Sequence, residues 1–259
     1  MNVSGTWGIF HIVYFVISTI LLIASLILIK RLVKNEKSKV ILVKVFAAIL
    51  LALIITNRIA YTVQYVSIEP IEGITWLYIF PETLCAVCAF VLSISLLFFK
   101  KDNHATHAIM YMALAGALLA VFYPTFLNEQ GLWELGTMTS LLYHTFMLFL
   151  VFLVVVLNYV KPTTKKWFYQ PITYMLIICY GLFYLNVLMP SIKDIFPVMN
   201  INLPLLTSQP ILTSWWMLGI GYFLFEMTFL LIYDHFINKK DFKTIGDEFI
   251  HFYRYINQK

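Results

Sequence analysis

The sequence predicts an all-α, polytopic membrane protein, a seven-transmembrane-helix bundle with its N-terminus outside and its C-terminus cytoplasmic. Three observations predict it. The 259 residues are 61% hydrophobic and only 12% charged. Their apolar positions run in long blocks rather than at an amphipathic period. Seven blocks reach the roughly 20 residues that a helix needs to cross a bilayer: about 8–29, 40–63, 76–99, 107–127, 137–160, 169–190 and 212–236. They make a transmembrane domain over 1–238 and leave 239–259 as a tail, so chemistry has to be built from helix faces and loop ends.

The first block has no Lys or Arg before it, and its apolar core is too long for a signal peptide. It is expected to remain as a helix, carrying His11. The second contains Asn57 and Arg58, which as neighbours on a helix cannot point the same way. The third contains Pro81, Glu82, Cys85 and Cys88. Three residues separate Glu82 from Cys85, which predicts a shared face, and Pro81 predicts a bend beside them. The fourth, rich in small residues (Ala113, Ala115, Gly116, Ala117, Ala120), is the expected close-packed centre. In the fifth, Ser140 and His144 are four apart and share a face. Asn186 falls in the sixth, and Glu226 lies about 14 residues into the seventh. Trp215 and Trp216 open that last span at the height of an aromatic belt.

Basic residues set the orientation, because cytoplasmic loops retain Lys and Arg. Lys30, Arg31, Lys34, Lys37 and Lys39 follow the first span, Lys100 and Lys101 the third, Lys161, Lys165 and Lys166 the fifth, and Lys239, Lys240 and Lys243 the seventh. Glu69, Glu72, Glu129 and Glu134 mark the other side. The net charge of +5 is thus spread along one membrane face. It points to phospholipid headgroups as partners and not to nucleic acid. A partner membrane subunit is a further possibility. The Pro-rich connection over 190–210 is expected to lie over the bundle mouth or in the interface. In the tail, Phe242, Ile245, Phe249, Phe252 and Ile256 recur at helical spacing, as in an interfacial amphipathic helix.

Depth, at about 1.5 Å per residue, brings Arg58, Glu82, Cys85 and His144 to one layer of the outer leaflet, joined by His11, Tyr123 and Asn186. An ionisable residue within a span costs about 2.5–3.5 kcal/mol at the centre and marks a functional site by default. Each also has a plain structural role open to it. Arg58 can snorkel or pair with Glu82, Cys85 can fill space as a small hydrophobe, and His144 can bond a carbonyl. No cysteine is placed for a disulfide. No cofactor is expected, and no metal, since His11, His144 and Glu82 lack metal-site spacing. The last span contains no lysine, which excludes a retinal Schiff base.

Three segments carry a resemblance. The run Phe80-Pro81-Glu82-Thr83-Leu84-Cys85, the small-residue stretch from Ala115 to Ala120 leading to Tyr123-Pro124-Thr125, and Leu142-Tyr143-His144 resemble the YwaF-like bacterial integral membrane proteins. That family is related to an animal transmembrane acyltransferase acting on ether phospholipids and is more distantly similar to the androgen-induced-gene hydrolases. The resemblance implies a bacterial plasma membrane location, Cys85 as acyl nucleophile and His144 as its base. Thr83, Thr125 and Tyr143 stand where the family carries histidine, an acidic residue and serine.

The expected function is a lipid acyltransferase or acyl hydrolase working in the outer leaflet through Cys85 and His144, with Arg58, Glu82, Tyr123, Asn186 and His11 binding substrate. The rival is a proton- or ion-coupled transporter, or a non-enzymatic receptor or partner subunit, using Arg58, Glu82 and Glu226.

Overall fold

The computed structural model describes residues 8–124, 133–188 and 215–237. Among these residues there are seven α-helices and no strand: α1 (Ile9–Leu32), α2 (Glu36–Val63), α3 (Leu84–Phe98), α4 (His104–Phe122), α5 (Leu135–Val156), α6 (Tyr169–Phe183) and α7 (Trp215–Phe236). Two of them run straight on into π turns, α2 into Gln64–Ile68 and α6 into Tyr184–Leu188. Among the described residues five helices are long and apolar enough to cross a membrane: Ile9–Leu32, Glu36–Ile68, His104–Phe122, Leu135–Val156 and Tyr169–Leu188. The α3 helix is apolar but shorter. The connection over 190–210, the tail over 239–259, Thr125, and the side chains of Trp215 and Trp216 lie outside the described residues.

Caps explain where helices start ahead of their apolar runs. The Asn35 side chain accepts the Lys37 N–H at 2.9 Å and Asn103 accepts the Thr106 N–H at 2.8 Å. Each satisfies one of the backbone donors that a helix start leaves open. Hence α2 begins at Glu36, four residues before the apolar block, and α4 at His104.

The third span departs from expectation. Instead of one helix over 76–99, a 3-10 turn at Trp76–Ile79 gives way to extended backbone at Phe80 (φ −69°, ψ 143°), and α3 starts at Leu84. Pro81 has no N–H to continue a helix and pushes the residue before it into extended conformation. Thr83 then caps the new start, its hydroxyl accepting the Ala86 N–H at 3.2 Å. Glu82 is therefore in the connection and Cys85 in the first turn of α3, so the two do not share a helical face.

Small residues put α4 in the middle, where it touches α3, α5, α6 and α7. Ala113, Ala117 and Gly116 are buried there, and a Cβ on Gly116 would sit 3.0 Å from the Cys85 sulfur. The α2 helix packs on α3 and α5. By contrast α1, which rests on α5, buries only His11 and Leu26. Its remaining apolar surface suits lipid rather than protein.

At the basic end, Asp102 ties the α3–α4 connection to two other segments. It takes up positive φ, 57°. Its Oδ1 lies 2.6 Å from His107 Nε2 and accepts the Lys161 N–H at 3.1 Å, while Oδ2 is 3.5 Å from Lys166 Nζ. Burial opposes the charge on Asp102, but these bonds and the nearby cation outweigh it and hold the carboxyl below its ordinary value. The folded chain then binds fewer protons than the unfolded chain in acid, so stability rises with pH there. The contribution is complete above the ordinary aspartate value of about 3.9 and is lost as pH falls through the lower folded value. Asp102→Asn, which tolerates the same backbone, is expected to flatten the fall in melting temperature below about pH 4. An acid limb as steep as that of the wild type would refute this role.

Candidate functional site

Arg58 and Glu82 meet across the α2–α3 interface. Arg58 Nη1 donates to Glu82 Oε1 at 2.8 Å, and Nη2 donates to the Tyr78 carbonyl. The guanidinium also lies over the Tyr78 ring, 4.5 Å from its centroid. Arg58 is 4% exposed and Glu82 8%, which makes this a buried ion pair and not an arginine reaching for headgroups. The partner groups on Tyr78 come from the 3-10 turn, which the break at Pro81 leaves free to fold back over α2. The Pro81 carbonyl is itself satisfied, accepting from the Tyr180 hydroxyl of α6 at 2.7 Å.

Asn57, next to Arg58, points the other way, as helical geometry requires. Its Nδ2 reaches the Gly136 carbonyl at 2.9 Å, Thr139 Oγ1 at 2.9 Å and Ser140 Oγ at 3.0 Å. These contacts pin the first turns of α5 to α2. The approach is close, because a Cβ on Gly136 would lie 2.8 Å from the Tyr61 ring. Gly136→Ala is expected to cost about 1–3 kcal/mol through overpacking, read as a lower melting temperature. A melting temperature equal to that of the wild type would show that Tyr61 moves aside freely.

One turn further along α5, His144 is buried and its Nδ1 lies 2.7 Å from the Ser140 carbonyl. A carbonyl only accepts, so Nδ1 carries the proton in that bond. Tyr143 stacks on His144 with ring centroids 4.0 Å apart. Cys85 is half-buried and forms no disulfide. It occupies the start of a helix, where the first backbone N–H groups have no intrahelical acceptor and negative charge is favoured. A hydrogen-bonded layer thus runs from Glu82 and Arg58, through neighbouring Asn57, to Ser140 and His144.

The remaining candidates fall elsewhere. His11 Nε2 bonds the Val121 carbonyl at 2.9 Å, which fastens α1 to the end of α4. Tyr123 caps α4 and is half-buried, its N–H donating to the Leu119 carbonyl. Asn186 is exposed and bonds Leu182 of its own helix at 2.7 Å. Glu226 is fully buried in α7 and, among the described residues, neither of its carboxylate oxygens meets a donor. Among the described residues no three His, Cys, Asp or Glu side chains gather as a metal site would require.

Several residues of the layer carry no signal in the sequence. Tyr78, Tyr61 and Tyr180 look like ordinary span aromatics, and Tyr184, two positions before Asn186, places a buried hydroxyl in the electrostatic field of Glu82 and Arg58. Only the abundance of tyrosine near the outer span ends could have suggested them.

The sequence pattern of the TMEM164 family matches residues 6–235. No curated protein and no solved structure matches the chain.

Proposed function

Because the chain belongs to the TMEM164 family, a membrane protein family whose pattern covers almost its whole length, we propose that it is an integral membrane acyltransferase or acyl hydrolase acting on phospholipids. All seven helices cross the cell membrane in this reading, α3 and α7 included. The basic connections lie in the cytoplasm, the N-terminus lies outside, and Cys85 and His144 work in the outer leaflet. What supports the reading is that two touching helices each carry one of the two groups: α3 a half-buried cysteine in its first turn, and α5 a histidine whose Nδ1 is committed to Ser140.

In the proposed reaction His144 Nε2 takes the Cys85 proton. The sulfur attacks the ester carbonyl of a phospholipid, and the oxygen under attack draws on the open N–H groups at the start of α3. The C–S bond forms and the ester C–O bond breaks, with His144 returning the proton to the departing lysophospholipid oxygen. A second lysophospholipid hydroxyl, or water, then attacks the thioester with His144 again as base, and the thiol is restored. Arg58 and Glu82 are buried and bonded to one another, so in this reading their part is to hold the layer rather than to touch the ester.

The test is trapping of the intermediate. Purified protein mixed with a phospholipid carrying a labelled acyl chain is expected to gain the mass of one acyl group on Cys85, released by neutral hydroxylamine. Undiminished transfer by Cys85→Ala would sink the proposal. A second reading, a proton- or ion-coupled transporter using Arg58, Glu82 and Glu226, draws on the buried carboxylate of Glu226. It requires flux that Glu226→Gln abolishes and Cys85→Ala leaves intact.

A further inference from the structure

Between α6 and α7, at the half of the bundle nearer the basic end, lies a cavity of about 440 Å³. It is bounded by Trp167, Gln170, Tyr174, Gly219, Phe223 and Glu226. Most of the wall is apolar. Trp167 and Phe223 meet edge to face at 6.4 Å, and Gly219 leaves room for the Tyr174 ring, since a Cβ there would fall 2.4 Å from it. Neither the thiol nor the imidazole of the proposed acyl site is on this wall.

Two polar side chains interrupt the apolar lining, and both are buried by more than nine-tenths. Glu226 is 0% exposed and Gln170 2%. Among the described residues, neither Glu226 oxygen and neither polar atom of the Gln170 amide has a hydrogen-bond partner. A buried polar group left without a partner is costly, the more so when charged. Native proteins rarely keep two such groups on one cavity wall without use for them.

The chemistry of the wall selects its ligand. A carboxylate and a glutamine carbonyl place three acceptor oxygens at the edge of one cavity, and aromatic rings present their electron-rich faces to cations. A phosphate or carboxylate would meet Glu226 unfavourably, and an uncharged hydrocarbon would leave every acceptor open. We propose that this cavity is a binding site for a primary ammonium group on an apolar stem, with Glu226 as its counter-charge, Gln170 as a second acceptor and the Trp167, Tyr174 and Phe223 rings around the stem. Ile220 and Met175, about half exposed on the same wall, open the cavity sideways. The ammonium can therefore belong to a lipid headgroup or to a free amine.

Melting temperatures of the full chain, purified in detergent, test the site with octylamine as probe and octanol as its uncharged counterpart. Octylamine is expected to give a saturable rise and octanol none in the same concentration range. Glu226→Gln keeps the shape of the side chain and removes the charge. It should fold at least as well as the wild type and bind octylamine at least about tenfold more weakly, with Gln170→Leu intermediate. Cys85→Ser should bind as the wild type does, which separates this site from the acyl chemistry. In nanodiscs, loss of the octylamine shift with phosphatidylethanolamine but not with phosphatidylglycerol identifies a headgroup as the source. A shift with ethanolamine alone in phosphatidylglycerol discs identifies a free amine. Equal responses to octylamine and octanol, or undiminished octylamine binding by Glu226→Gln, would overturn the proposal.

Discussion

Replacing Arg58 by methionine is expected to destabilise the folded protein by about 3–5 kcal/mol, the cost of stranding one partner of a buried ion pair. The loss has three parts. Glu82 keeps its place in the connection ahead of α3 but loses its 2.8 Å donor, the Tyr78 carbonyl loses another, and the Tyr78 ring loses the cation over its face. Glu82→Gln should cost less, because the amide still offers Arg58 an oxygen. The double variant Arg58→Met with Glu82→Leu should recover most of the stability of the wild type, because a well-packed apolar pair commonly does as well as a buried salt bridge. Unfolding of the wild type, Arg58→Met, Glu82→Leu and the double variant in the same detergent closes the cycle. A single Arg58→Met variant as stable as the wild type would mean that the pair is not what closes the α2–α3 interface.

The second large effect is kinetic. If the proposed reaction holds, Cys85→Ala and His144→Ala each lower acyl transfer by about a thousandfold or more, and the double variant is little worse than either alone, as for two groups that act as one unit. Asn57→Leu acts at one remove. It frees the turn around Gly136 and Ser140 that carries His144, so it should lower the rate modestly. Additive losses from Cys85 and His144 would show that they serve separate steps, and a His144→Ala variant with full activity would remove it as the base.

The helices were readable in the sequence because lipid imposes a simple condition, long apolar runs between polar ends, and 61% hydrophobic composition met it. The interruption at Pro81 was readable only as a bend. The residues from Trp76 to Phe98 stay apolar whether or not the backbone is helical, so composition could not report that helix α3 waits until Leu84. The cue lay in Pro81-Glu82-Thr83, a helix breaker followed by a capping residue. Shared depth correctly paired Arg58 with Glu82, since two opposite charges in one apolar layer have few other ways to be satisfied. Backbone acceptors left no such trace. Nothing in the sequence tells His11 to seek the Val121 carbonyl, or Arg58 the carbonyl of Tyr78. Gln170 was invisible for a different reason, because a polar residue near a helix start reads as solvent-facing, whereas it is buried opposite Glu226.

The slender attachment of α1 also bears on how the protein is made. Its anchor at Val121 is 110 residues downstream of His11, and the Tyr14 contacts to Leu141 and Thr145 are later still. At a synthesis rate of about 5–20 residues per second, this helix spends several seconds in the bilayer before its docking site has left the ribosome. Its mean hydropathy of 2.9 is the highest among the candidate spans. That surplus lets the newborn segment persist alone, with lipid for company, until the rest of the bundle arrives to receive it.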